Sequence, residues 1–100
     1  MVLCTCPDAV IAEAIAKNVV EQKLAACANI IPGVKSLYIW EGEVQQQEEC
    51  QLLMKTRPSE CDKMFKLVLS LHPYDVPEWL VIDINDGSEE YLNWINRSLK

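Results

Sequence analysis

The sequence is poor in glycine, histidine and basic residues, and each shortage excludes a class of function. Its 100 residues include three glycines and one histidine, and 15 acidic residues outnumber nine basic ones, which gives a formal net charge of −6. Three glycines, all in predicted turns, cannot build a glycine-rich phosphate loop. One histidine excludes a two-histidine metal centre within a single chain. The acidic balance argues against nucleic acid and anionic membrane surfaces as partners, because both require a basic face.

Long hydrophobic runs and paired cysteines are missing as well. No stretch approaches the ~20 apolar residues of a membrane helix, and the first residues lack the positive start of a signal peptide. The five cysteines form no C-x-x-C pair, and their odd number fits a disulfide framework poorly. We therefore expect reduced thiols and a cytoplasmic protein. Because half of the residues are hydrophobic, the chain is predicted to form one domain, residues 1–100, around a core.

The apolar patterns predict β-α-β-β-α-β order with a helix added at the C-terminus. The predicted elements are a strand over 2–6, a helix over 9–24 capped by Asp8, strand segments over 25–31 and 34–40 separated by Pro32-Gly33, a strand over 44–56, a helix from Pro58 that ends before Pro73, a buried strand over 79–84, and a helix that begins in a capping box at 86–89 and runs to Leu99. This order is the split βαβ arrangement of ferredoxin-like α+β domains. Both crossover helices should cover one face of an antiparallel sheet.

Both faces of the predicted second strand carry large apolar side chains. Leu37 and Ile39 point one way, Tyr38 and Trp40 point the other, and the predicted strand over 79–84 repeats the pattern. Two helices cover one face only, so the other face of a monomer should be polar. Burial of each such side chain is worth roughly 1.5–3 kcal/mol. We therefore predict that other copies of the chain cover the second face.

Cys4 is the first candidate metal ligand. In a strand, Cys4 and Cys6 place both sulfurs on one face, roughly 6–7 Å apart along the backbone. Thiolate and imidazole together suit copper(I), copper(II) or zinc. Free cysteine is also a common small core residue. Packing is the expected role of the others, with Cys6 near the helix start and Cys27, Cys50 and Cys61 in the core.

His72 is the second candidate, and two interpretations of it stay open. Pro73 disfavours helical geometry at His72, so the imidazole either ends the helix near its last carbonyls or binds metal or a partner in a cleft. Tyr74 and Asp75 follow directly and are expected to anchor this loop by hydrogen bonds.

Lys55 stands out because it ends an apolar strand. It is either a solvated strand end or, if a neighbouring subunit buries it, paired with an acid such as Glu48, Glu49 or Asp75. The polar start of the same strand, "VQQQEE", is predicted to project as a hairpin arm. That arm is either solvated or embraces a second subunit through strand pairing.

Five blocks of the sequence together resemble the CutA family of divalent-cation tolerance proteins. They are "CTCPD" from Cys4, "LAACANIIPGVKSLYIWEGEV" from Leu24, "LLMKT" from Leu52, "LHPYDVPE" from Leu71 and "YLNWINRSL" from Tyr91. The resemblance implies a ferredoxin-like fold assembled as a stable cytoplasmic homotrimer, similar in architecture to the PII signalling proteins. It also implies tolerance of divalent cations, with copper binding as its biochemical side. The family's cysteine and histidine fall on Cys4 and His72, whereas Leu71 stands where some members carry a second histidine.

Two hypotheses follow. In the first, the chain is a non-catalytic homotrimer that binds copper, as Cu²⁺ or Cu⁺, or another soft metal through Cys4 and His72. In the second, it is a PII-like signalling or scaffolding trimer. Its inter-subunit cleft, lined by Trp40, Lys55 and Tyr74, would bind a small anionic ligand or a partner protein. No combination of residues in the sequence supports an enzyme.

Overall fold

The computed structural model describes residues 1–99 and confirms the predicted α+β class and element order. The elements are β1 (Val2–Cys6), α1 (Ala9–Glu21), β2 (Cys27–Trp40), β3 (Glu43–Lys55), a 3₁₀ turn (Pro58–Glu60), α2 (Cys61–Leu71), β4 (Leu80–Val81) and α3 (Glu89–Ser98). The four strands form one antiparallel sheet in the order β2-β3-β1-β4. No helix within residues 1–99 is both long and apolar enough to span a bilayer.

The core lies between the sheet and the two crossover helices. The Asp8 carboxylate caps α1 by accepting a hydrogen bond of 2.9 Å from the Ile11 N–H. α1 then buries one stripe of apolar side chains, and α2 adds Met64 and Val68. The facing side of the sheet supplies alternate residues of β1 and β3, which are Val2, Cys4, Cys6, Cys50, Leu52 and Met54.

α1 ends three residues earlier than the predicted Leu24, because the chain turns into a left-handed conformation. Lys23 has φ of 58°, and the Leu24 N–H reaches back to the Val19 carbonyl at 2.9 Å, as in a Schellman motif.

We expect Lys23→Gly to stabilise the protein by about 1 kcal/mol, since a side chain in this conformation costs roughly that much. Urea unfolding checks this, with Ala14→Gly at an exposed mid-helix position as the control. The control should lower the free energy of unfolding by about 1 kcal/mol. A Lys23→Gly variant that is less stable than the parent would contradict the interpretation.

The predicted break at Pro32-Gly33 is a β-bulge within one continuous strand. The pairing of β2 with β3 shifts between Ile31, opposite Gln51, and Val34, opposite Glu49. Three steps along β2 therefore match two along β3, and Gly33 takes φ of 71°, which glycine allows without strain.

Beyond the bulge, residues 35–48 form an arm that projects from the domain, as the polar "VQQQEE" pattern predicts. The molecule measures 46 × 27 × 21 Å. Apolar side chains on both faces of the arm are largely exposed, with Ile39 at 65%, Trp40 at 63% and Val44 at 66%. The two faces stay open because the helices cover only the other end of the sheet. The alternation of apolar residues in β2 therefore marks surface that this chain does not cover.

The predicted buried strand over 79–84 is wrong for the single chain. β4 contains only Leu80 and Val81, which pair with Leu3 and Val2 and remain 52% and 50% exposed. The strand is short because the segment 72–79 occupies the rest of the β1 edge. α3 likewise buries none of its own side chains within the described chain.

Candidate metal site

β1 presents two thiols to the interior of the domain. Cys4 and Cys6 alternate with Leu3 and Thr5, so both face the helices, and both are fully buried. The shared face was predicted from the Cys-x-Cys spacing. Cys6 was not predicted as a site residue, because its packing beside Pro7 explains a buried cysteine equally well.

The end of α2 brings His72 to the same place. The helix stops before Pro73, with the His72 N–H still bonded to the Val68 carbonyl at 2.8 Å. β4 pairs with β1 only as far as Leu3, which leaves the Thr5 carbonyl free on that edge. The His72 Nε2 lies 2.8 Å from this carbonyl oxygen. The imidazole thus takes the position that a longer β4 would have occupied.

The three side chains form a compact group of potential ligands. The Sγ atoms of Cys4 and Cys6 and a ring nitrogen of His72 all lie within 4.8 Å of one another. At a metal–sulfur distance of about 2.3 Å, two sulfurs bound to one ion are at most about 4.6 Å apart. Two thiolates and an imidazole are soft donors that suit copper or zinc. Cys4 and His72, which are distant in sequence, are therefore neighbours, and Cys6 is a further candidate ligand that sequence reasoning missed.

Hydrogen bonds fix the tautomer of His72. Its Nδ1 accepts a bond of 3.1 Å from the Tyr74 N–H, so this nitrogen carries no proton. The proton therefore resides on Nε2, which donates it to the Thr5 carbonyl. Both ring nitrogens are engaged in the folded chain. The imidazole also packs against the Tyr74 ring, with 4.8 Å between centroids.

The two thiols influence each other's ionisation. The Cys4 thiol points toward the Thr5 carbonyl at 4.0 Å, and its interaction with the Cys6 sulfur, followed by burial, raises the pKa of Cys4 far above its ordinary value. The same interaction lowers the pKa of Cys6, although burial and the nearby Asp8 and Glu49 carboxylates oppose the shift. A metal ion that binds both sulfurs must displace the Cys4 proton, so its affinity should rise with pH.

The other three cysteines lie outside this group. Cys50 is buried opposite Cys6 in the ladder between β1 and β3. Cys61 is buried at the start of α2, with its thiol 3.7 Å from the Arg57 carbonyl. Cys27 is half-buried beside Lys55. The predicted packing role fits Cys50 and Cys61, whereas Cys27 lies outside the buried core.

The three predicted cleft residues occupy two separate depressions of one chain. Trp40 and Tyr74 line a depression of about 690 Å³, which also contains the Glu49 and Asp75 carboxyl groups. Lys55 lines another, of about 180 Å³.

The Lys55 ammonium has no acidic partner among the described residues. It donates instead to the Asn29 side chain and lies 3.8 Å from the Cys27 sulfur. The predicted cleft of Trp40, Lys55 and Tyr74 therefore requires residues from different subunits.

Tyr74 anchors the loop after α2, as predicted for this position. Its hydroxyl donates to the Glu49 carboxylate at 2.7 Å and accepts from the Gln47 amide at 3.2 Å. On the same side of the sheet, the Glu78 carboxylate accepts bonds of 2.9 Å from both Thr5 and Gln51. These bonds hold the segment 72–79 along the β1 edge, next to the thiols.

Burial, followed by the bond to Glu49, raises the pKa of Tyr74 to about 12. Because the folded-state pKa is raised, the stabilisation by this phenol is complete below its ordinary pKa of about 10 and is lost as the pH rises through the folded-state pKa.

We expect Tyr74→Phe to remove one step from the high-pH end of the tyrosinate absorbance titration. A titration curve unchanged at that end would contradict the bond to Glu49.

Comparison with known sequences gives one consistent match. A family model described as CutA1 divalent ion tolerance protein matches residues 1–98. The divalent-cation tolerance protein CutA of Escherichia coli O81 (strain ED1a) is 46% identical over 100 residues, covering 100% of this chain and 89% of the relative. CutA of E. coli strain K12 / DH10B is 45% identical with the same coverage.

Solved structures agree with the sequence matches. A divalent cation tolerance protein of Thermus thermophilus superposes with a TM-score of 0.95 at 44% identity, covering 99% of this chain and 96% of that one. CutA1 of Oryza sativa gives 0.96 at 40% identity, with 99% and 91% covered. A protein of Archaeoglobus fulgidus, named a periplasmic divalent cation tolerance protein CutA, gives 0.94 at 36% identity, with 99% and 96% covered.

Proposed function

Because the chain belongs to the CutA1 family of divalent ion tolerance proteins, we propose that it binds copper as a non-catalytic homotrimer in the cytoplasm. The observation that carries the copper assignment is the group of Cys4, Cys6 and His72, whose donor atoms lie within 4.8 Å of one another. The cytoplasmic location is inferred from five cysteines that are all free in the structure, as expected in a reducing compartment.

The donor set fits copper better than it fits harder divalent ions. Calcium and magnesium prefer oxygen ligands, whereas thiolates and imidazole select copper and zinc. Bound copper would be held away from water, because Cys4 and Cys6 are fully buried and His72 is 8% exposed. Sequestration of a reactive ion in a dry site is a direct chemical route to tolerance. It requires no group that activates a substrate.

The exposed apolar surface supports the homotrimer. Large side chains on both faces of the arm and along 80–84 are 39–66% exposed in the single chain. Monomeric proteins rarely leave contiguous apolar patches of this kind open to water. Copies of the chain that exchange arms would cover both regions, and each large side chain would contribute roughly 1.5–3 kcal/mol.

Copper-dependent stabilisation tests the proposed function. At a free copper concentration 100 times the dissociation constant, binding should stabilise the folded state by about 2.7 kcal/mol. That gain raises the melting temperature by roughly 10–20 °C for a chain of this size. The measurement is thermal unfolding of reduced protein, first stripped of metal and then loaded under anaerobic conditions. Magnesium at the same concentration is the control, and equal melting temperatures with and without copper would refute the proposal.

The signalling alternative remains a prediction. Within one chain, Trp40 and Tyr74 share their depression with two carboxyl groups, and Lys55 lies elsewhere. This arrangement favours a cationic or neutral ligand over the anionic one predicted from sequence. A ligand screen by thermal shift would support the alternative if a hit were lost in Lys55→Ala.

A further inference from the structure

We propose that Cys4 and Cys6 together form a two-thiolate site for monovalent copper, and that His72 positions this pair without binding the ion. The inference rests on the proposed function and deepens it in three respects. It adds Cys6 as a ligand, selects Cu(I) over divalent ions, and gives His72 a different role from the one predicted by sequence.

The backbone of β1 makes the two sulfurs a pair. They extend from the same strand, two residues apart, toward the same side of the sheet. The β3 ladder holds Cys4 opposite Leu52 and Cys6 opposite Cys50, so the strand cannot shift without breaking these pairs. The sulfurs lie within 4.8 Å of each other, close to the limit of about 4.6 Å for two sulfurs on one ion.

The number of available donors favours a monovalent ion. Structural zinc takes four protein ligands. Within residues 1–99, His72 is the only other histidine, cysteine or acid grouped with the two thiols. Its Nδ1 lone pair is already occupied by the Tyr74 N–H, and its Nε2 carries the proton donated to Thr5. Two soft thiolates therefore remain, and thiolates select Cu(I).

The net charge of the site and its burial also favour Cu(I). Two thiolates with a divalent ion would be neutral, but the ion would lack the further ligands that it requires. Two thiolates with Cu(I) carry one negative charge, and the thiol protons pass to the solvent on binding. A ring nitrogen of His72 lies in the same group, and the Nε2–H donates to the carbonyl of Thr5, the residue between the two thiols. The bound ion neutralises one of the two thiolate charges, which lowers the cost of burying the pair.

His72 acts on the residue between the two ligands. Its Nε2 is bonded to the carbonyl of Thr5, which separates Cys4 from Cys6. This hydrogen bond holds the peptide after Thr5 in place, and thereby orients the side chains of Cys4 and Cys6. His72 is in turn held by the Tyr74 N–H. It is thus a positioning residue of the kind that surrounds many metal ligands.

The test measures Cu(I) affinity of the reduced protein under anaerobic conditions, in competition with a chromogenic Cu(I) chelator. The variants are Cys4→Ala, Cys6→Ala and Cys6→Ser, and the matched control is Cys61→Ala, another buried cysteine. Circular dichroism of the metal-free proteins checks folding, and Cys6→Ser serves if Cys6→Ala does not fold.

We expect both Cys6→Ala and Cys6→Ser to weaken Cu(I) binding as much as Cys4→Ala does. The loss should exceed the roughly 10–100-fold that removal of an outer-shell partner costs, and Cys61→Ala should bind like the parent. If Cys4→Ala loses affinity while both Cys6 variants retain it, the two-thiolate site is wrong and the proposed function stands. If the parent binds no Cu(I), both are wrong.

X-ray absorption at the copper edge tests the role of His72. We expect two sulfur ligands and no imidazole nitrogen in the parent. The same two sulfurs should appear in His72→Gln, whose amide can still donate to Thr5, with affinity reduced within the outer-shell range. An imidazole signal in the parent that disappears in His72→Gln would show that His72 binds the ion, and would overturn this part of the proposal. A zinc affinity equal to that for Cu(I) would overturn the selectivity.

Discussion

The double variant Ile39→Glu/Trp40→Glu is expected to convert the proposed homotrimer into single folded chains. Ile39 and Trp40 lie on opposite faces of the arm and are 65% and 63% exposed in the chain itself. Their replacement should therefore leave the fold of one subunit intact. In the trimer, each subunit loses two buried side chains worth roughly 1.5–3 kcal/mol each. Assembly of the variant would also bury two carboxylates in each subunit, which costs several kcal/mol more.

Size-exclusion chromatography with light scattering at micromolar concentration measures this effect. Val10→Glu is the matched control, since Val10 is an apolar residue 74% exposed on the outer side of α1. We expect the control to remain trimeric. A double variant that stays trimeric would show that the arm is not part of the interface.

Replacement of Cys4 by alanine is expected to abolish the copper-dependent rise in melting temperature. Cys4 is fully buried and shares its site with Cys6 and His72. Without its sulfur, one thiolate and a hydrogen-bonded imidazole remain, and a single soft ligand cannot hold copper against water. The roughly 10–20 °C shift expected for the parent should fall to within experimental error. Thermal unfolding with and without copper, under reducing anaerobic conditions, measures the difference.

The matched control is Cys61→Ala, which removes another buried thiol. It should lower the melting temperature of the metal-free protein somewhat and leave the copper-dependent shift unchanged. A Cys4→Ala variant that copper stabilises as strongly as the parent would contradict the site. Loss of the shift in Cys61→Ala as well would locate copper binding outside the group of Cys4, Cys6 and His72.

The elements that follow from local patterns were predicted well. The start of α1 depends on Asp8 and the end of α2 on Pro73, and both effects are local. The ends that were wrong depend on other parts of the molecule. α1 stops at Glu21 because Lys23 adopts a left-handed conformation, which no neighbouring residue type requires. β4 is limited to Leu80 and Val81 because another segment occupies the edge of β1, and an apolar run cannot show this.

The candidate metal site was predicted only in part, because some of its features also depend on distant parts of the chain. The face shared by Cys4 and Cys6 follows from the two-residue period of a strand. The proximity of His72 depends on the length of α2 and on where the β1–β4 pairing stops, so only the three-dimensional structure shows it. The engagement of both imidazole nitrogens depends on the Thr5 carbonyl and the Tyr74 N–H, which have no sequence signature. The predicted cleft of Trp40, Lys55 and Tyr74 would require neighbouring subunits, and it remains a prediction.

Native mass spectrometry of the reduced protein after loading with Cu(I) tests both parts of the proposed function at once. The account predicts one dominant species with the mass of three chains and three copper ions, because each chain carries its own complete pair of thiols. A folded single chain would contradict the assembly. A trimer with no retained copper would contradict the metal site.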